Sequence, residues 1–475
     1  MDPPPVYISS SGEEDDNNIK CPICCLDISF LTLEERSDHV LECVESPKKF
    51  VYKSLKKTRA AAPKVKNAPR PKKEKPEIPA VKILKFSGLD IAVDAFCYRF
   101  NPEISHYFLS HFHSDHYGGL CKSWNHGTIY CSKLTKILAV TKLKVNPDII
   151  VALDYEMEYS IANGLKVICV DANHCPGSQI FLFKTAIKEE TTLHCGDFRV
   201  NLNMLSHPLL QCKVYRCYLD TTYLDPVYSF PDQTQVIQTT ARYIKSLHDP
   251  ETHKAVKIQR RITDFFLPPR NIHYPFLIVV GTYTIGKERL AVEIARSLGT
   301  KMYASAEKLQ ILKHMHESET SWEFLKDLLS SNPFECQVHL VSLNKFADLV
   351  SYFDQFSSKF EKIIGIKPTG WTYRSTKSSK WIRDAKDDNE ILKTIVGTKE
   401  EITVKNLEAQ FKTSNLAQVY SVPYSEHSSF RELAYFMGCL DIEKVIPTVN
   451  LHNMAYLERW IGCIQSFEKM DIAKF

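Results

Sequence analysis

Three imidazoles and a carboxylate fall within six residues at His111-Phe112-His113-Ser114-Asp115-His116. Imidazole nitrogens and carboxylate oxygens are the donors that a borderline divalent ion such as zinc takes, so this stretch points to a metal site. The apolar run Tyr107-Phe108-Leu109 ahead of it reads as a buried strand, and Gly118-Gly119 behind it as a turn. Alternation sets His111 and His113 on one side, and the turn can bring Asp115 and His116 towards a second ion. A second group of ligand types lies near the N-terminus, at Cys21, Cys24, His39 and Cys43. C-x2-C followed by H-x3-C puts two thiolates on a knuckle and the other ligands one helical turn apart, as a closed tetrahedral zinc site needs. So short a segment buries little core and depends on the ion to fold.

Other strand ends must position partners for the first cluster. Asp94 ends the run Ile91-Ala92-Val93, and His174 follows the apolar stretch Leu165–Val170. Asp197 follows the strand-like Thr191–Cys195, and Asp220 stands directly after Leu219. Strand ends that deliver His or Asp in succession suit one site better than unrelated turns. Gly281-Thr-Tyr-Thr-Ile-Gly-Lys287 joins a buried strand, Phe276–Val280, to a helix expected over Glu288–Leu298. It fits G-x4-G-K, but Glu288 stands where a nucleotide-binding loop needs Ser or Thr for magnesium, which argues against an ATPase. Lys287 and the helix N-terminus could instead hold one phosphate, and a purely structural strand-helix turn is the equal alternative.

At 475 residues the chain is long enough for two or three domains. Hydrophobic residues at 44% and charged residues at 24% describe a globular protein with no apolar run that spans a bilayer and no signal-peptide core. The 15 cysteines are an odd number scattered through strand-like runs, which suits reduced thiols inside the cell. A net charge of +4 is mild, but the segment from Lys48 to Lys75 is rich in Lys, Arg and Pro and reads as a basic linker. It could also serve as a nuclear-import signal or a DNA tether.

His-x-His-x-Asp-His together with these strand-end residues resembles the metallo-β-lactamase superfamily. The resemblance implies a second-shell role for Asp94, the third histidine ligand at His174 and a bridging carboxylate at Asp197. Asp220 and His427, in Pro423-Tyr-Ser-Glu-His-Ser-Ser429, resemble the nucleic-acid-cutting β-CASP branch, and Val449 stands where its DNA-cutting members carry valine. With Gly281–Lys287 and Lys367-Pro-Thr-Gly-Trp371, the chain from about residue 83 onward resembles the Pso2-type DNA interstrand-crosslink-repair 5′ exonucleases. That likeness implies an α/β fold, a four-layer αββα core with an inserted β-CASP domain, preceded by the small zinc finger. It further implies metal-dependent hydrolysis of DNA phosphodiesters from a 5′-phosphorylated end by a nuclear repair enzyme that uses one or two zinc ions. His111, His113, His174 and Asp197 are then first-metal ligands. Asp115, His116 and His427, sharing Asp197, hold a second ion. Asp115, Asp197, Asp220 and His427 are the catalytic set, with Asp220 as a support or proton relay, and Lys287, Ser428 and Ser429 are candidates for the 5′-phosphate pocket.

The finger resembles the ubiquitin-binding fingers of DNA-repair proteins, as in the animal form of the family. Leu41 and Glu42 depart from the usual aspartate there, so DNA is the alternative to ubiquitin or a ubiquitylated protein. Gln259, Ile262, Phe265 and Phe266 are spaced like the peptide that docks on the sliding clamp, proliferating cell nuclear antigen. Val6-Tyr7-Ile8 before Glu13–Asp16 resembles a SUMO-interacting motif. The expected order is a disordered acidic tail over 1–18, the finger over 19–46 and the linker over 47–80. The metallo-β-lactamase core then spans 81–222. The β-CASP domain follows over 223–440, with the clamp peptide in an insertion near 248–272, and 441–475 return to the core. A monomer with no membrane contact is expected. A small-molecule hydrolase of the same fold and a catalytically weak repair scaffold are the alternatives, and a nuclease assay with chelator controls separates them.

Overall fold

The computed structural model describes residues 75–185, 190–248, 274–346, 349–370, 382, 387–404, 407, 417–467 and 470–475. Among the described residues, the apolar runs become strands of three sheets. The first has the order β1 (Ile83–Phe86), β2 (Leu89–Val93), β3 (His106–Phe108), β4 (Thr128–Ser132), β5 (Ile150–Leu153), parallel from β2 onward. The second holds β6 (Glu158–Ser160), β7 (Leu165–Asp171), β8 (Gln179–Thr185), β9 (Thr191–His194) and β10 (Arg216–Leu219). The third is parallel throughout and holds β11 (Tyr274–Thr282), β12 (Lys301–Ala304), β13 (Leu329–Ser330), β14 (Cys336–Ser342), β15 (Phe360–Pro368) and β16 (Ala417–Val422), in the order β13-β12-β14-β11-β15-β16. The last strand, β17 (Val445–Pro447), returns to the second sheet beside β10.

Side chains two apart share a sheet face, and that alternation produces the layers. Leu84, Ile91, Val93, Phe108 and Tyr130 of the first sheet meet Val167, Cys169, Phe181 and Phe183 of the second. Phe108 lies between the sheets, its ring edge-on to Phe181 and Phe183 at 5.2 and 4.9 Å. Burying each such ring contributes ~1.5–3 kcal/mol, which holds together the strand that carries His111. The other face of the first sheet packs Ile129 and Cys131 on Leu134 and Leu138 of the helix Lys133–Leu143. The other face of the second packs Ile180, Leu182 and Leu193 on the helices Phe430–Cys439 and Met454–Gln465. The layers therefore run helix, sheet, sheet, helix. In the third sheet the continuous run Phe276–Val280 is buried on both faces, which a parallel sheet between helix layers requires.

One boundary moves. The inserted segment was expected to end at 440, but Phe430, Leu433 and Phe436 pack in the cluster of the second sheet, so the chain has rejoined the core by that helix. The third sheet itself ends at Val422. Lys73–Phe475 form one compact unit. The described cysteines are free thiols. Among the described residues no helix is long and apolar enough to cross a membrane. The expected finger ligands Cys21, Cys24, His39 and Cys43, the tail and most of the linker lie outside the described residues, as does the clamp motif Gln259, Ile262, Phe265 and Phe266.

Candidate metal centre

Each site residue follows a strand. Asp94, just past β2, takes a left-handed backbone at φ 52° that turns its carboxylate inward. There it accepts from the Ser110 amide (2.8 Å), the Ser110 hydroxyl (2.7 Å) and His116 Nδ1 (2.8 Å). It thereby ties the end of β3 to the short helix Ser114–Tyr117. His174 follows β7 through Asn173, also left-handed at φ 51°. Asp197 follows β9 through Gly196, at φ 57°, where a Cβ would stand 2.8 Å from Ser110 Cβ. A side chain there would push the Asp197 carboxylate away from the histidine loop.

Four imidazoles converge on one carboxylate oxygen, and a fifth stands beside them. Asp197 Oδ2 lies 3.1 Å from His116 Nε2, 3.7 Å from His111 Nε2, 3.9 Å from His174 Nε2 and 4.0 Å from His427 Nε2. His113 Nδ1 faces His174 Nε2 at 3.1 Å. Three groupings could hold an ion: His111, His113 and His174; His111, His116 and Asp197; and His174, Asp197 and His427. The donor set fits a divalent metal on two further counts. His111 Nε2 is buried with no hydrogen-bond partner, an arrangement that costs free energy unless a cation takes the lone pair. In addition, the outward nitrogen of every histidine is already held. His111 Nδ1 meets Ser110 Oγ (2.9 Å), His113 Nε2 meets the Ile285 carbonyl (2.8 Å) and His174 Nδ1 meets the Glu426 carbonyl (2.8 Å). His116 and His427 meet Asp94 and Asp220 through Nδ1, at 2.8 Å each. Ligand histidines are oriented in this way, with one nitrogen anchored and the other presented to the ion.

The electrostatics divide the histidines into two sets. Burial pushes His111 and His174 well below the usual imidazole range, and it lowers His113 as well, so all three are neutral donors. Burial also opposes charge on His116 and His427, but neighbouring carboxylates prevail. Asp197, Asp115 and Asp94 raise His116 well above its ordinary value, and Asp220 with Asp197 raises His427 to about 9. Burial raises Asp197 too, yet His116 and His427 hold it well below the usual carboxylate range. The Asp197 carboxylate is thus balanced by protons on those two imidazoles.

The remaining expected residues divide. Asp220 is buried, takes the Thr222 amide and hydroxyl on Oδ1 and holds His427 with Oδ2, so it acts as a support. Asp115 is absent from the three groupings. Its side chain is 43% exposed, with Oδ2 3.5 Å from His116 Nε2. The phosphate-pocket expectation for Lys287, Ser428 and Ser429 is corrected. The Lys287 ammonium is buried on the Pro368 carbonyl at 2.8 Å. Ser428 Oγ donates to the Phe198 carbonyl and accepts from the Val200 amide. Ser429 caps the helix Phe430–Cys439 in a reciprocal box with Glu432. Polar atoms so engaged hold loops in place and have little left for a ligand. Sequence reasoning missed Ser110, Ile285, Glu426 and Arg199. Two of them act through backbone carbonyls, which leave no trace in residue type.

Facing mixed sheets with helices outside, and histidines and aspartates gathered at their strand ends, define a metallo-β-lactamase type of hydrolytic scaffold. The family described as DNA repair metallo-beta-lactamase matches residues 323–453. The chain is 35% identical over 475 residues to the DNA cross-link repair protein pso2/snm1 of Schizosaccharomyces pombe, covering 95% of this chain and 77% of that protein. It is 34% identical to the DNA cross-link repair protein PSO2/SNM1 of Saccharomyces cerevisiae, covering 96% and 78%. It is 27% identical to the 5′ exonuclease Apollo of Danio rerio, covering 76% and 51%. The chain belongs to the Pso2/SNM1 family of DNA cross-link repair metallo-β-lactamases.

Proposed function

We propose that the chain is a metal-dependent 5′-to-3′ DNA exonuclease that removes nucleotides from a 5′-phosphorylated end during interstrand-crosslink repair. The observation that carries this reading is the convergence of His111, His116, His174 and His427 on Asp197, with His113 grouped beside His111 and His174, in a chain of the cross-link repair family that also resembles a 5′ exonuclease. Zinc suits the donor set, with His111, His113, His174 and Asp197 as one ligand group and His116, His427, Asp115 and the shared Asp197 as the other. When bound, such ions supply Lewis-acid polarisation of a phosphodiester and lower the pKa of water. Asp197 keeps the two groups in register, and Asp94 and Asp220 hold His116 and His427 so that Nε2 of each faces it. Asp115, the most open of the carboxylates, stands beside His116 with Oδ2 3.5 Å from its Nε2.

The test is end polarity. A 3′-labelled strand should shorten from its 5′ end, a 5′-phosphoryl strand faster than its 5′-hydroxyl twin, and chelation should stop both. Degradation from the 3′ end, or activity indifferent to chelator, would contradict the reading. DNA as substrate implies work in the nucleus, and the protein acts as a monomer.

Cys21, Cys24, His39 and Cys43 bind a structural zinc in a finger that takes ubiquitin or a ubiquitylated protein, and the N-terminal tail is a site for SUMO. Gln259, Ile262, Phe265 and Phe266 dock the sliding clamp. Aromatic anchors in an apolar groove carry ~2 kcal/mol or more each. Phe265→Ala with Phe266→Ala should therefore abolish clamp binding in a titration against purified clamp. Unchanged affinity removes the motif from the account, and a misfolded double variant shows that the rings belong to the core.

A further inference from the structure

We propose that the turn Tyr283–Lys287, carried by the third sheet, is a positioning element of the metal centre, with Glu426 as the latch that seats it. The inference rests on the reading of the histidine cluster as a divalent-metal centre. In sequence the turn is spaced like a phosphate cradle, but its donors are taken. The Gly286 amide donates to both oxygens of Glu288, at 3.0 and 2.9 Å, and the Lys287 amide donates to Glu426 Oε1 at 2.6 Å. Glu288 is in turn bound by Lys308 Nζ at 2.6 Å, and the Lys287 ammonium is spent on the Pro368 carbonyl. The side chains of the chain itself fill the anion position at this helix start.

What the turn presents to the centre is an acceptor. The Ile285 carbonyl lies 2.8 Å from His113 Nε2, from 172 positions further along the chain. An imidazole that donates through Nε2 carries its lone pair on Nδ1, and His113 Nδ1 is the atom that faces His174 Nε2. Ile285 thus sets the tautomer and ring plane of one ligand. Glu426 links this to the next, since its side chain holds the Lys287 amide while its own carbonyl accepts from His174 Nδ1. The two facing histidines are therefore oriented through one strut that joins the inserted sheet to the core. Gly286 lies inside that strut at φ 108°, and a Cβ on it would stand 2.8 Å from Glu426 Oε2 and 3.5 Å from His113 Nε2. Only glycine lets the turn approach both. The seating of the third sheet is then read out directly in the affinity of the centre for its ion.

The test uses the full chain, depleted of metal, titrated with zinc against a chromophoric competitor and, separately, with cobalt(II) read by its visible absorption. His111→Ala identifies which part of the isotherm belongs to this centre. Gly286→Ala and Glu426→Ala should weaken that part by ~10–100-fold and alter the cobalt spectrum, as loss of an outer-shell partner does. Glu426→Gln keeps an oxygen for the Lys287 amide and should stay close to the wild-type affinity and spectrum. If wild type and His111→Ala bind alike, the metal reading itself fails. If His111→Ala loses the ion while Glu426→Ala keeps wild-type affinity and spectrum, the positioning role alone fails. Equal losses in the Ala and Gln variants also overturn it, because charge and not the hydrogen bond would then be the cause.

Discussion

Asp197→Asn should abolish nuclease activity while leaving the chain folded, with kcat/KM lower by on the order of 10³-fold or more, or ~4 kcal/mol of transition-state stabilisation. Asp197 Oδ2 lies within 4.0 Å of His111, His116, His174 and His427, so both ligand groups lose their shared anion. A neutral amide offers a weaker oxygen and turns an N–H towards imidazoles or cations. In the metal-free protein the same change should lower the proton affinity of His116 and His427, since the Asp197 carboxylate helps to raise both. Activity would be measured on a 5′-phosphorylated strand with metal content determined on the same preparation. Near-normal turnover in a metal-replete variant would remove Asp197 from the chemistry.

Arg199→Met should cost ~3–5 kcal/mol of stability, the usual penalty for leaving half of a buried ion pair without its partner. The Arg199 side chain is almost fully buried, and it donates through Nε and Nη2 to Glu432 Oε1 at 3.1 Å, through Nη1 to the Ser425 carbonyl at 2.6 Å and through Nη2 to the Pro231 carbonyl at 3.1 Å. Methionine fills similar volume but takes the guanidinium from Glu432 Oε1 and from the Pro231 and Ser425 carbonyls, leaving Glu432 only the Ser429 amide on Oε2 and Ser425 only the Gln233 amide. The double variant Arg199→Met with Glu432→Leu should recover part of the loss, because the stranded charge is then gone. Denaturant unfolding of the three proteins decides the matter. A loss below ~1 kcal/mol for the single variant would mean that water or a shifted loop replaces the guanidinium. Ser425 sits two residues before His427, so the same pair also fixes the loop that delivers that histidine.

The layered core was legible because its cause is local. The apolar runs Leu165–Val170 and Phe276–Val280 are continuous, so each must lie between two layers. The metal residues were legible for a related reason, since His and Asp placed just after such runs can only be delivered to a strand end. The helix Glu288–Leu298 was expected over the range it occupies, from its apolar spacing. The end of the inserted segment was not readable in the same way. The loop Pro423–Ser429 has no composition that shows which sheet the following helix joins, and only the packing of Phe430 and Leu433 places it against the core.

The residues around the turn at Gly286 show where sequence stops. G-x4-G-K is a spacing, and the same backbone can cradle an anion or exclude one depending on which side chains reach its amides. Glu288 was visible as a poor neighbour for phosphate, but Glu426 lies 139 positions beyond Lys287, and only the folded chain brings its carboxylate to that amide. Ser428, Ser429 and the Lys287 ammonium offered plausible phosphate donors by type, and the fold spends each on a carbonyl or a helix end. By itself the sequence determined which residue types can bind a metal and which strands carry them, because those properties belong to side-chain chemistry and short-range periodicity. The tertiary structure alone decided which nitrogen of each histidine faces the centre, because that depends on carbonyls and carboxylates brought from distant segments, whose hydrogen-bond partners no residue type declares.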